Sequence, residues 1–267
     1  MNAQHTDPMT LSTALTARTN ALALGLEHGA ADLLELVTPT TAELLHWWFG
    51  QDMVDARGGL NFHAGQKQAL LNAIVAHEVL GAGSLLDLYQ QVAPDALLTG
   101  NRLAEVTGGK HAHPKYCFKM ATGTGKTWVL QALLIWQLLN KTAALAEGMD
   151  DARFTRQFMV VAPGLIVYER LLDAFCGKLV EGGNGARDFD KSDIKSFADL
   201  FIPEAHREAV FAFVRGNVCG KAEIGLKATG NGMIAITNWH LLAEGDAPED
   251  IEEVEALGAP LPAHEVV

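Results

Sequence analysis

The sequence predicts an α/β fold, a parallel sheet flanked by helices and preceded by a helical N-terminal region. Three observations carry this. Tyr116-Cys117-Phe118-Lys119-Met120-Ala121-Thr122-Gly123-Thr124-Gly125-Lys126-Thr127 runs from an apolar stretch, through a glycine-rich turn, into an apolar helical pattern from Trp128 to about Ala146. Gln157–Ala162 and Met233–Ile236 are short, apolar, partly β-branched and bounded by turn residues, the marks of buried parallel strands. Helical patterns separate these strands. In sheets so built, ligands bind at the carboxyl ends of the strands, where the glycine-rich turn, Pro163-Gly164 and Thr237-Asn238 are expected.

Taken in order, residues 1–60 read as a helical N-terminal region. Leu11, Leu15, Leu22 and Leu26 fall on one stripe, interrupted by Arg18. Thr40-x-x-Glu43 has the spacing of a capping box, opening a helix whose Leu44, Leu45, Trp48 and Phe49 share a face. Gly58-Gly59 breaks the chain. A new helix then opens near His63 and runs to about Leu80, with Leu70, Ala73, Ile74 and His77 on one side. A further helical patch spans about 84–91. His111-x-His113 lacks a third ligand nearby and reads as loop, not as a metal pair. Glycines 177, 182, 183 and 185 mark a loop, and 199–215 is mostly helical. Residues 61–243 are expected to form one domain, with an acidic segment at 244–267.

Composition narrows the class. With 49% hydrophobic residues in 267, there is ample material for a core. The net charge of −12 argues against a nucleic-acid partner at first sight. Seven acids and no bases lie between Glu244 and Glu255, however, which leaves −5 for everything else. Cys117, Cys176 and Cys219 are too widely spaced for a metal site or a disulfide framework. Cys117 is expected to be a buried thiol on the first strand, in a reducing cytoplasm. The N-terminus has no basic region followed by an apolar block, so no signal peptide is expected. The apolar run Trp128–Leu139 is too short to span a bilayer, and no membrane partner is expected.

The glycine-rich turn carries the chemistry. Gly123 and Gly125 allow positive-φ turns that aim successive backbone N–H groups inward. The following helix adds its positive dipole end at the same point. Lys126 supplies a mobile charge for the β- and γ-phosphates, and Thr127 a hydroxyl for Mg²⁺. This is the phosphate loop of a nucleotide-hydrolysing protein, set between an apolar strand and an apolar helix as the chemistry requires. Met120 stands where the general motif has its first glycine.

Four features follow one another: Phe62-His63-x-Gly65-Gln66, Met120–Thr127, Val160-Val161-Ala162-Pro163-Gly164 and Ile236-Thr237-Asn238-Trp239-His240. Together they resemble the first RecA-like domain of a superfamily-two DEAD/DEAH-type helicase, and most closely the motor (Res) subunit of type III restriction enzymes. The likeness covers roughly residues 40–243. It implies ATP and Mg²⁺ as cofactors and ATP-driven movement on DNA. Gln66 would read adenine, while Gly123, Thr124, Gly125, Lys126 and Thr127 bind nucleotide. Lys126 and Thr127 are the catalytic residues that this implies, with Thr127 the metal ligand. Pro163, Gly164, Thr237, Asn238 and His240 would touch the DNA backbone without reading sequence, and Trp239 would pack in the core. A modification or specificity subunit is an implied partner of the full system.

The family's Asp-Glu-x-His block, which orients Mg²⁺ and activates water, is missing from the sequence. Glu249-Asp250-Ile251-Glu252-Glu253 follows Gly245-Asp246-Ala247-Pro248 and reads as a solvated acidic loop. The second RecA-like domain and any nuclease domain are absent too, so the chain is expected to be the N-terminal piece of a longer protein. Three readings stay open: a motor fragment, a module that holds ATP or DNA without turnover, and a phosphate-loop protein of another class such as a transporter ATPase. The Gln66 and Thr237-Asn238 motifs argue against the third.

Overall fold

The computed structural model describes residues 9–182, 185–220, 223 and 231–239. They form two compact units. The first holds the chain through Arg156 together with Phe197–Val210, and the second holds Gln157–Ser196 and the chain from Phe211. The division falls after the helix that the glycine-rich turn opens.

The first unit is helical: α1 (Thr10–Leu22), α2 (Pro39–Phe49), α3 (Gln51–Arg57), α4 (Ala64–Ile74), α5 (Leu85–Val92) and α6 (Lys126–Ala146), with shorter turns between. Helix α6 is its axis, and α2 and α4 both pack on it. Val129, Ala132, Ile135, Trp136 and Leu139 of α6 are buried, as are Leu44, Leu45 and Trp48 of α2 and Leu70, Leu71 and Ile74 of α4. These are the stripes that the 3.6-residue periodicity foretells. At 21 residues, α6 is long and apolar enough to cross a membrane, unlike the Trp128–Leu139 run alone. Here α2 and α4 cover its apolar side, as they would for a core helix.

Capping differs from expectation by two residues. Helix α2 starts at Pro39, and the Thr38 side chain accepts from Thr41 N. Proline's fixed φ and missing N–H suit the first helical position, so Thr38 takes the cap instead of Thr40. Glu43 pairs with His206 at 3.0 Å. Beyond Ile74 the α4 helix continues as a π-helical turn, Val75–Val79. The extra residue in such a turn shifts the face that follows, and Glu78 lies 4% exposed. Its carboxylate accepts from Thr38 N (2.6 Å), Thr41 Oγ1 (2.8 Å) and Trp136 Nε1 (3.1 Å). Asn140 Nδ2 donates to Thr41 Oγ1 at 2.9 Å and completes a buried network across α2, the π turn and α6.

Tyr116–Ala121 is not a strand. A strand needs a neighbour for its backbone groups, and the described residues of this unit contain none. Cys117 is accordingly exposed, not buried.

The second unit carries the sheet: β1 (Gln157–Ala162), β4 (Val218–Cys219) and β5 (Met233–Asn238), parallel and in the order β1-β5-β4. Gln157 faces Met233 and Ala162 faces Asn238, so β1 and β5 end level. A small antiparallel pair, β2 (Lys178–Leu179) with β3 (Arg187–Asp188), fills the glycine-marked loop. Helix α7 (Leu165–Cys176) packs on β1 and β5. Strand β5 is buried on both faces, whereas β1 hides Val160 and Ala162 and leaves Met159 54% and Val161 42% exposed. β1 is thus half-buried, contrary to its apolar sequence, because among the described residues only the face bearing Val160 and Ala162 is covered. Helix α8 (Arg207–Asn217) spans the division between the units. The chain is α/β, with a parallel sheet flanked by helices and a helical N-terminal region.

Candidate functional site

The glycine-rich turn adopts the backbone that its glycines permit. Gly123 has φ +81° and Gly125 φ +70°, values that other residues rarely adopt. Gly125 sits at the N-cap of α6 in the left-handed conformation, and its carbonyl accepts from Trp128 N (3.0 Å). Its φ favours glycine there, and a Cβ on Gly125 would lie 2.3 Å from Gln66 Nε2, so a side chain would also displace the end of that amide. No acid lies in the first turn of α6. The positive end of a 21-residue helix is therefore not offset from within its own first turn.

Lys126 is exposed and turned back on the loop, with Nζ 3.0 Å from Ala121 O and 3.4 Å from Met120 O. An ammonium held only by two neutral carbonyls at the surface can exchange them for phosphate oxygens. Thr124 Oγ1 also donates to Ala121 O at 2.7 Å, which tightens the turn. Thr127 follows Lys126 in the first helical turn and carries a hydroxyl, a hard oxygen donor.

Gln66 proves to be buried, 2% exposed, at the third position of α4. Its Oε1 accepts from His63 N at 3.0 Å, closing a capping box. Its Nε2 donates to Gly125 O (3.2 Å) and Thr124 O (3.4 Å). The amide is thus occupied by the loop itself. Reading adenine would require it to exchange those partners.

His63 was not among the candidate residues, yet it touches the loop directly. Nδ1 accepts from Gly65 N (3.1 Å) and Gln66 N (3.3 Å), capping α4, while Nε2 lies 2.9 Å from Thr124 O. A ring whose Nδ1 accepts must carry its proton on Nε2, so Nε2 donates to the Thr124 carbonyl. The three-residue spacing of His63 and Gln66 is the available sequence signal, that of a capping box. Nothing local shows that the ring's far side meets residue 124. Just before the loop, burial pushes the Tyr116 phenol above its ordinary range.

In the second unit, Pro163-Gly164 lies at the carboxyl end of β1 and caps α7, and Asn238 ends β5 beside Ala162. The structure thus brings these two strand ends together. Thr237 and Asn238 are buried, 1% and 4% exposed, and Asn238 Oδ1 has no hydrogen-bond partner among the described residues. Trp239 is 42% exposed, which corrects its expected core position; β5 is buried on both faces but ends at Asn238, and Trp239 lies just beyond it. The first turn of α7 is an exposed apolar cap, with Ile166 73% exposed. His240 lies outside the described residues, as does the 244–267 segment.

A family model described as "Type III restriction enzyme, res subunit" matches residues 60–212, which is 153 of the 267 residues. The match begins just before the Gln66 motif and takes in the glycine-rich turn and β1. No curated protein and no solved structure matches the chain.

Proposed function

Since this chain belongs to the type III restriction enzyme Res-subunit family, a family of helicase-like ATP-binding motors, we propose that it binds ATP-Mg²⁺ at Gly123–Thr127 and serves a motor that moves on DNA. The observation that carries this reading is the loop itself: two positive-φ glycines and an exposed Lys126 at the N-terminus of a long helix. Backbone N–H groups of Gly123, Thr124 and Gly125 would hold phosphate oxygens, Lys126 the β- and γ-phosphates, and Thr127 the Mg²⁺. DNA would be held at the strand ends, by backbone groups at Pro163-Gly164 and beside the buried Thr237 and Asn238. A cytoplasmic location and a modification subunit as partner belong to the same proposal. Titration calorimetry with ATP-Mg²⁺, and DNA retention at two salt concentrations, test the two halves separately. Absence of saturable ATP binding would remove the reading.

Hydrolysis is a separate matter. The 267 residues contain no Asp-Glu-x-His block to hold the metal's other side and orient water. In related chemistry an added arginine meets the charge developing on the γ-phosphate, a contribution on the order of 10³-fold or more, and Lys126 is the one cation assigned to the phosphates here. Phosphate release by the purified chain is expected to equal that of Lys126→Ala, with or without DNA. DNA-stimulated release that vanishes in Lys126→Ala would overturn this.

The occupied amide of Gln66 leads to a further expectation. Gln66→Ala should weaken ATP and GTP by similar amounts, about 1–2 kcal/mol, because it removes support from the loop and not from one base. A loss confined to ATP would instead assign adenine reading to Gln66.

A further inference from the structure

The Thr124 carbonyl is a backbone acceptor in a loop whose work, on the reading above, is to present backbone donors. Two side chains from the start of α4 hold it, His63 Nε2 at 2.9 Å and Gln66 Nε2 at 3.4 Å. The Thr124–Gly125 peptide is trans, as are all the described peptide bonds. Across a planar trans peptide the C=O and the next N–H point in opposite directions. Holding the Thr124 oxygen toward α4 therefore turns the Gly125 N–H away from α4. Were the carbonyl free, rotation of this one peptide would put an oxygen where the N–H now points. Glycine at 125 makes such a rotation cheap, since its φ is unrestricted by a Cβ. An oxygen so placed would repel a phosphate.

We propose that His63 is a positioning residue of the phosphate loop: it anchors the Thr124 carbonyl so that the Gly125 N–H is presented to nucleotide phosphate. The inference rests on the ATP-binding reading for its purpose, though not for its geometry. The imidazole is suited to this because its two nitrogens face two tasks. Nδ1 caps α4 while Nε2–H reaches the loop, so one rigid ring ties the helix start to residue 124, 61 positions away. Gln66 reaches the same carbonyl less closely and bonds mainly to Gly125 O. His63 is exposed while Gln66 is buried. Replacing the histidine therefore disturbs the anchor without opening the core.

The two tasks can be separated by substitution. His63→Ser keeps a good neutral helix cap and cannot reach Thr124. His63→Gln keeps an N–H donor of similar reach and is a poorer cap. Three quantities are read: Kd for ATP-Mg²⁺ by calorimetry, amide hydrogen exchange of a peptide covering 120–127 without nucleotide, and the melting temperature. His63→Ser is expected to weaken ATP about five-fold, the scale of one lost hydrogen bond, and to speed exchange in the loop with little change in melting. His63→Gln is expected to bind ATP within about two-fold of wild type and to melt lower. Unchanged affinity and exchange in His63→Ser would overturn the proposal, as would equal weakening in both variants. If the wild type binds no ATP, the functional reading fails on its own. The exchange rates still decide whether His63 holds the loop.

Discussion

Lys126→Ala is expected to remove detectable ATP binding from the 267-residue chain and to leave its melting temperature unchanged. Among the described residues Lys126 Nζ contacts the carbonyls of Ala121 and Met120, and it is exposed, so the fold loses little when it is truncated. Its charge is another matter. A charge-assisted contact with a triphosphate at a helix N-terminus is worth about 3 kcal/mol, about a hundred-fold in Kd. Calorimetry on the two proteins checks affinity, and circular dichroism melts check the fold. Equal affinities would place the nucleotide elsewhere or nowhere.

Glu78→Ala is expected to lower stability by about 3 kcal/mol, which in a protein of this size is a fall of about 6–12 °C in melting temperature. The carboxylate is 4% exposed and accepts three hydrogen bonds. Removing it strands the Thr38 N–H and leaves Trp136 Nε1 only Thr41 Oγ1, at 3.0 Å. Each buried donor left unmet costs about 1–3 kcal/mol, and a cavity adds to that. Glu78→Gln should also destabilise, by about 1–2 kcal/mol, because it turns an amide donor against a site made of donors. Thermal melts of both variants decide the matter. A shift of under a degree in Glu78→Ala would mean that the network contributes nothing. Nucleotide affinity should be spared, since the network lies along α2, the π turn and α6 and includes no residue of the loop.

Residues whose roles follow from short-range chemistry behaved as their sequence indicates. Gly123 and Gly125 take positive φ, a long helix starts at Lys126, and β5 is buried from Ile234 to Asn238. The apolar stretch before the loop did not follow suit. Tyr116–Ala121 has a strand's composition but no strand beside it among the described residues of its unit, and Cys117 is exposed. Gln66 was legible as a motif, yet its burial against Thr124 and Gly125 was not. Trp239 and Asn238 exchanged their expected environments, the aromatic outside and the amide inside.

Sequence alone determined the glycine-rich turn, the helix it opens and the strands that follow. Each of these rests on signals within a dozen residues: glycine's free φ, cap chemistry and hydrophobic period. Tertiary structure alone decided which polar groups the core would take in and which carbonyl the loop would offer. Thr38 meets Glu78 across 40 positions, His63 meets Thr124 across 61, and Trp136 meets Thr41 across 95. A hydrogen bond is made by whatever donor the packing brings within about 3 Å, and no local pattern in the chain records which donor that will be.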